Sequence, residues 1–280
     1  METAAWLACF KRNESRPSPD TPAIVTLPPA LREPLIRSLQ CFQLGEAGEG
    51  RVAREAACSK DPALDDALKA CVGFYVREEG RHARELARLL RAMGATTIKT
   101  HPSEWLFERS RRLLGLRAKM AVIAVAEVVG STYYATLAAL VPCPHVAEVA
   151  RTIGADEDRH LVFQRDYFRR VLATSSALMR PMVALLLTVW FLSVLAGAIA
   201  SVTIGHRKLF AALGMSPFVF AGRCVLRLRG SGEIGQRHGD RIVAALGEVE
   251  FVVARGADEV VVARRAAEIR HDDPCARTRF

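Results

Sequence analysis

From about residue 30 to residue 175, apolar residues recur at three- and four-residue intervals, the period of a helix that buries one face. In LREPLIRSLQCFQLGEAGEGRVAREAAC the pattern opens behind Pro28 and Pro29 and predicts a first long helix that ends near Cys58. SKDP breaks it, with Asp61 as a good N-cap and Pro62 at the first position of the next helix. That second helix, ALDDALKACVGFYVREEGRHARELARLLRAMG, is predicted to stop at Gly94. A third runs from about Ser103 to Val141, where the prolines of VPCP end it. The fourth starts near Pro144 and passes through DEDRHLVFQRDYFRR. Turns after the first and third helices make two antiparallel hairpins, and a four-helix bundle buries their apolar faces. The expected fold class is all-α.

Beyond the bundle the pattern changes. Residues 181–205, PMVALLLTVWFLSVLAGAIASVTIG, contain no charge and are bracketed by Arg180 and by His206, Arg207 and Lys208. The run is long enough to cross a membrane. Its Gly, Ser and Thr content fits a buried fifth helix equally, and both readings stand. After about residue 222 a glycine-rich basic break precedes VEFVVARGADEVVVARR, which reads as two short strands around a Gly-Ala-Asp turn. Residues 11–23, rich in Pro, Ser and charge, read as a mobile arm. The expected organisation is an arm over 1–27, a bundle over 28–175, an apolar helix with a following helical segment over 176–221, and an unassigned tail over 222–280.

Half of the 280 residues are hydrophobic and a quarter charged, as in a globular protein. The net charge of +9 comes largely from arginine. Arg84, Arg88 and Arg91 recur along one helix and read as a solvated face, so nucleic acid is not an expected partner. Anionic lipid headgroups are a second use for the same charge. The seven cysteines are scattered and form no C-x-x-C pair, which points away from a disulfide framework, a zinc site or a rubredoxin-like iron site. AAWLACF is too short for the core of a signal peptide. The expected location is the cytoplasm, either free or held to a membrane through residues 181–205.

The candidate chemistry lies in a repeated pentad, EEGRH at 78–82 and DEDRH at 156–160. Each copy sets a Glu and a His three residues apart, Glu79 with His82 and Glu157 with His160, on one face of a predicted helix. Carboxylate plus imidazole on one face is half of a metal site. A dinuclear carboxylate site in a bundle also needs one Glu from each of two further helices. Glu127, in the otherwise apolar AVIAVAEVVGSTYY, is costly unless a metal or strong partner compensates it. It lies about thirteen residues before the break at Val141, and Glu157 about thirteen after Pro144, so the two are level across an antiparallel pair. In the first half, Glu46 is closer to level with Glu79 than Glu49 is, and Gly45, Gly48 and Gly50 beside it offer room for a close approach.

The residues Glu46, Glu79, His82, Glu127, Glu157 and His160 resemble the ligand pattern of the ferritin-like di-iron superfamily, which includes rubrerythrins, ribonucleotide reductase small subunits and di-iron oxygenases. The resemblance covers roughly residues 30–175. It implies two iron ions, or a manganese–iron pair, with Glu79 and Glu157 bridging or chelating. His82 and His160 would take one metal each, and Glu46 and Glu127 would be terminal carboxylates. It also implies O2 or peroxide as a co-substrate. The four-cysteine tail of rubrerythrins is lacking, which calls for an external electron donor.

Carboxylate and imidazole suit Fe(II) and Mn(II). The leading expectation is an O2-activating oxygenase or oxidase on a small or lipophilic substrate. An iron-handling ferroxidase or peroxide-scavenging protein would use the same ligands, and a membrane-associated helical scaffold whose Glu/His pairs bind nothing is the non-catalytic alternative. Around the site, Arg81 and Arg159 are expected to make surface pairs with Glu78 and Asp156 or to orient the ligands from behind, while Asp158 or Asp166 accepts the outer His N–H. Tyr133, Tyr134, Phe74, Tyr75 and Phe163 are expected as core or pocket lining, and Met120 and Cys71 as core.

Overall fold

The computed structural model describes residues 2–47, 50–101 and 115–233. Among them the chain is helical, with no strand. The strands expected within 249–265 lie outside the described residues, as do Glu49 and the first part of the expected third helix.

The N-terminal residues differ from the expected mobile arm. Thr3–Glu14 form α1, which buries Trp6, Cys9 and Phe10 and packs on the helix carrying the first pentad. The aromatic pair decides this: Trp6 and Phe10 stack edge-on against Phe163, with ring centroids 5.4 and 5.2 Å away.

The expected first long helix is two helices, α2 over Pro29–Glu46 and α3 over Gly50–Cys58. Glycine is a poor helix former, and the break falls in its richest stretch, with Ala47 in a turn. A Cβ at Gly45 or Gly50 would meet no atom within 4 Å, so neither marks a close approach.

α4, Asp66–Ala92, starts later than expected because Asp65 is its N-cap, accepting from the Leu68 N–H at 2.7 Å. Asp61 instead holds the preceding turn, accepting from the Ala63 N–H at 3.0 Å, and binds Arg117. The predicted stop at Gly94 is found. Its φ of +72° is the left-handed cap conformation, and the Ala95 N–H closes on the Leu90 carbonyl.

α5 (Leu116–Leu140) and α6 (Pro144–Thr174) form the tightest-packed pair, joined through extended Val141 and Cys143. α7, Arg180–Gly205, runs along α5. α8 (Arg207–Ala212) and α9 (Pro217–Glu233) follow and return to α2 and α5.

Among the described residues, two helices are long and apolar enough to cross a membrane. In α5 that stretch is 89% buried and is core; in α7 it is 6% buried. The reading of 181–205 as a buried helix therefore holds for one face only, where Leu195 is 5% exposed.

The apolar side chains form two clusters. One gathers the N-terminal part of α2, the C-terminal part of α4, the middle of α5 and the start of α6, with Phe210 and Phe220. The other gathers α1, α3, the start of α4 and the end of α6. On α4, α5 and α6 the residues between the two clusters are the polar ones described next.

Trp6 is 1% exposed at the centre of the second cluster. Trp6→Ala is expected to destabilise the protein by about 3–5 kcal/mol. Urea unfolding followed by far-ultraviolet dichroism measures this, and a loss near zero would mean that α1 does not hold the bundle.

Candidate metal centre

Glu46 ends α2, Glu79 and His82 lie in α4, Glu127 in α5, and Glu157 and His160 in α6. Their side chains meet as two overlapping groups. One contains Glu46, Glu79, His82 and Glu157, the other Glu79, Glu127, Glu157 and His160. Within each group, one potential ligand atom per residue lies within 4.8 Å of the others. Glu79 and Glu157 belong to both. All six sequence-selected residues are brought together, and the level match of Glu127 with Glu157 is part of that geometry.

The Nδ1 atoms of both histidines face the carboxylates. His82 Nδ1 is 3.2 Å from Glu157, 3.7 Å from Glu79 and 3.7 Å from Glu46. His160 Nδ1 is 3.0 Å from Glu79, 3.4 Å from Glu127 and 3.6 Å from Glu157.

The outer nitrogens cross over. His82 Nε2 donates to Asp156 at 3.0 Å, and His160 Nε2 donates to Glu78 at 2.9 Å. The first acid of each pentad thus serves the histidine of the other copy. Because an ionised carboxylate only accepts, each Nε2 carries a proton, and with a metal bound the neutral ring would turn its Nδ1 lone pair inward. The sequence-based choice of Asp158 or Asp166 for this role is corrected. Asp158 accepts from the Ser131 hydroxyl at 2.6 Å, and Asp166 from the Trp6 indole N–H at 3.0 Å.

Arg81 and Arg159 do pair with Glu78 and Asp156, but as buried groups behind the ligand residues rather than at the surface. Arg81 donates to Asp156 at 2.9 Å and to the Asn13 carbonyl at 2.7 Å, and Arg159 binds Asp156. α1 completes this shell. Asn13 donates to Glu78 at 2.5 Å and to Asp156 at 3.3 Å. Arg16, just past the helix end, donates to Asp156 at 2.9 Å.

Two tyrosines hold the carboxylates expected to be terminal. The Tyr134 hydroxyl donates to Glu46 at 2.5 Å, and the Tyr75 hydroxyl donates to Glu127. These contacts, like Asn13 and Arg16, escaped sequence reasoning. The signal for Glu78 and Asp156 was present, because the repeat includes the acid ahead of each E-x-x-H. For Asn13 and Arg16 no local pattern exists, since they reach Asp156 only by folding. Phe163, Met120 and Cys71 are core as expected, while Phe74 is half-buried under Arg77.

Packed carboxylates raise one another's proton affinity. Burial, then the charges of Glu127, Glu157 and Glu46, hold Glu79 well above the usual carboxylate range. Burial and Glu127 push Glu157 up to about 8. Burial opposes ionisation of Glu46 and Glu127 too, but His82 and Tyr134 outweigh it at Glu46, while Glu157, His160 and Tyr75 do so at Glu127. Both imidazoles are raised well above the ordinary value. Burial favours their neutral forms, but Asp156, Glu157 and Glu46 around His82, and Glu127, Glu157 and Glu78 around His160, prevail.

The residues fit a metal on an independent ground. Glu79 Oε1, His82 Nδ1, Glu127 Oε2, Glu157 Oε1 and His160 Nδ1 are buried without a well-directed hydrogen bond. Buried polar atoms are normally satisfied, and here five unsatisfied ones face a common centre. A buried Glu/His site able to hold metal is therefore present.

No protein-family model matches the chain, and no curated protein or solved structure matches it. The site is consequently read from its own geometry.

Two outcomes follow. Asp156→Asn keeps the shape of the shared acceptor but removes its charge, and is expected to weaken metal binding about 10–100-fold. Competition with a chromophoric chelator measures this, with exposed Glu148→Ala as the control. The second outcome concerns pH. In the metal-free protein the raised histidines stabilise the fold fully below their unfolded value of 6.5, and lose this as pH rises through their folded values. Raised Glu157 acts with the same sign, contributing fully below 4.5 and losing its contribution by about pH 8. Glu46, Glu78, Glu127 and Asp156 are lowered, so their contribution is lost only as pH falls below the usual carboxylate range. Melting temperature without metal should therefore peak near about pH 5 and fall toward about pH 8. Adding metal should remove the alkaline fall, because ligation needs the deprotonated groups. A metal-free maximum on the alkaline side would refute this account.

Proposed function

We propose that the chain is a non-haem di-iron oxidoreductase with a ferritin-like bundle, which activates O2 on a small or lipophilic substrate. The observation that carries the reading is the pair of overlapping ligand groups sharing Glu79 and Glu157. α2 and α5 each supply one Glu, and α4 and α6 each supply a Glu-x-x-His, the arrangement that dinuclear carboxylate bundles use.

Charge supports two ions rather than one. Four carboxylates with two neutral imidazoles balance two divalent cations, whereas one cation would leave a net negative charge buried. Glu46 and Glu127 would be terminal ligands, Glu79 and Glu157 would be shared, and His82 and His160 would bind one metal each through Nδ1. Iron is the favoured metal and a manganese–iron pair uses the same donors. When bound, the pair supplies electrons to O2 together.

The protein's own part is to position and to exclude water. Tyr134 and Tyr75 each occupy one oxygen of Glu46 and Glu127, which leaves the second oxygen for a metal. Glu78 and Asp156 hold the imidazoles in one tautomer, and Arg16, Arg81 and Arg159 offset the charge of Asp156. Phe10, Phe163 and Tyr75 cover the His160 side with apolar rings. Reducing equivalents come from an external donor.

Protein produced with added iron is expected to contain about two iron ions per chain and to consume O2 when reduced. Elemental analysis and an oxygen electrode test this. Glu127→Ala should lower iron content far more than Glu148→Ala. Zinc alone, no metal, or equal effects of the two substitutions would defeat the proposal. Iron accumulating well beyond two per chain would move the reading to an iron-handling ferroxidase.

A further inference from the structure

The outward face of α7 is the largest feature that the metal centre leaves unexplained. α7 has two faces, both apolar. Inward, Leu187, Phe191, Leu195, Ile199 and Val202 lie against the two core clusters, and the Trp190 indole donates to the Ala118 carbonyl at 3.3 Å. Outward, Met182, Leu185, Leu186, Val189 and Ile204 are 47–63% exposed, and Leu178 ahead of the helix is 86% exposed. A helix that is apolar all round has to be covered by protein or lipid on both sides.

Charge identifies the cover. From residue 167 to residue 232 the chain has eight Lys/Arg and no Asp/Glu; Arg169, Arg170 and Arg227 pair with Asp166, Asp65 and Asp158, and the remaining five leave the stretch cationic. Arg180 stands at one end of α7, and Arg207 and Lys208 at the other; all three are exposed. An apolar strip with cationic ends and no acid complements an anionic bilayer surface, with apolar side chains among the acyl chains and cations at headgroup level.

The packing also fixes the orientation. The 26 residues of α7 would span about 39 Å, enough to cross a membrane. Yet the inward contacts run from Val183 to Val202, so the other helices lie alongside most of α7. A crossing α7 would carry the bundle into hydrocarbon, with exposed charges such as Arg84, Glu148 and Arg151. We propose that α7 docks the protein on anionic membranes by lying in the plane of the interface, with its outward face in lipid and its inward face on α5. The proposal stands independently of which metal, if any, fills the buried site.

The test uses the full-length protein and vesicles of phosphatidylcholine with or without phosphatidylglycerol, separated by flotation. Wild-type protein is expected to float with the anionic vesicles and much less with neutral ones, and high salt should release part of it. Leu185→Glu/Leu186→Glu is expected to reduce bound protein at least about tenfold. Both positions are exposed, so helical dichroism should be unchanged. Arg207→Glu/Lys208→Glu should weaken binding to anionic vesicles only. Alkaline carbonate should strip the bound wild-type protein. Retention after carbonate would overturn the in-plane orientation. Absence of binding would overturn the membrane, as would a soluble dimer that buries Leu185 and Leu186 through the small residues Ser193, Gly197 and Ala200.

Discussion

Two buried imidazoles each give their outer N–H to an acid on the other pentad, His82 to Asp156 and His160 to Glu78. This crossed pair is what allows a carboxylate-lined centre to exist between α4 and α6. It fixes both ring planes and turns both Nδ1 atoms toward Glu79 and Glu157. It also couples the two helices directly, so neither half-site is set without the other. The acids that accept these bonds must stay ionised away from water, and the imidazoles they hold do most to keep them so, with arginine adding to it. Asp156 is 0% exposed, and His82 first, then Arg159 and Arg16, hold it well below the usual carboxylate range. A buried acid without such partners would protonate and could no longer orient an imidazole.

The N-terminal helix belongs to the same logic. Its aromatic side chains fill the second apolar cluster, which holds α1 in place for Asn13 and Arg16 to reach Glu78 and Asp156. Packing and polar contacts therefore depend on each other. Without Trp6 and Phe10 the segment has no reason to stay, and without Asn13 and Arg16 the acids behind the histidines lose part of their compensation.

How much of this was legible in the sequence depended on how local each signal was. The clustering of Glu79 with His82 and of Glu157 with His160 was readable because E-x-x-H is set by helix geometry alone, and its repetition removed much of the ambiguity. Glu127 was readable because a lone charge among apolar residues needs a reason. The C-terminal stop of α4 was readable because a left-handed glycine has one meaning there. The break after Glu46 was missed because the hydrophobic period continues across it, while the glycines that interrupt it act through backbone propensity. α1 was missed for the opposite reason: charged and proline-rich residues after it dominate the window, and its stability comes from contacts with α4 and α6 that no local pattern records. The outward face of α7 was half legible. Its lack of charge was plain, but only packing separates the covered side from the uncovered one.

The two apolar clusters have a consequence for how the molecule comes apart. Side chains that interlock transmit strain from one end of a helical stack to the other, and a layer of buried ionisable groups between them interrupts that transmission. Here α4, α5 and α6 pass through both clusters, with the carboxylates and imidazoles at the crossing point. Filled with cations, the layer becomes attractive and joins the ends into one cooperative unit. Emptied, the layer is held by the histidine–acid hydrogen bonds, and the two apolar ends are coupled less tightly.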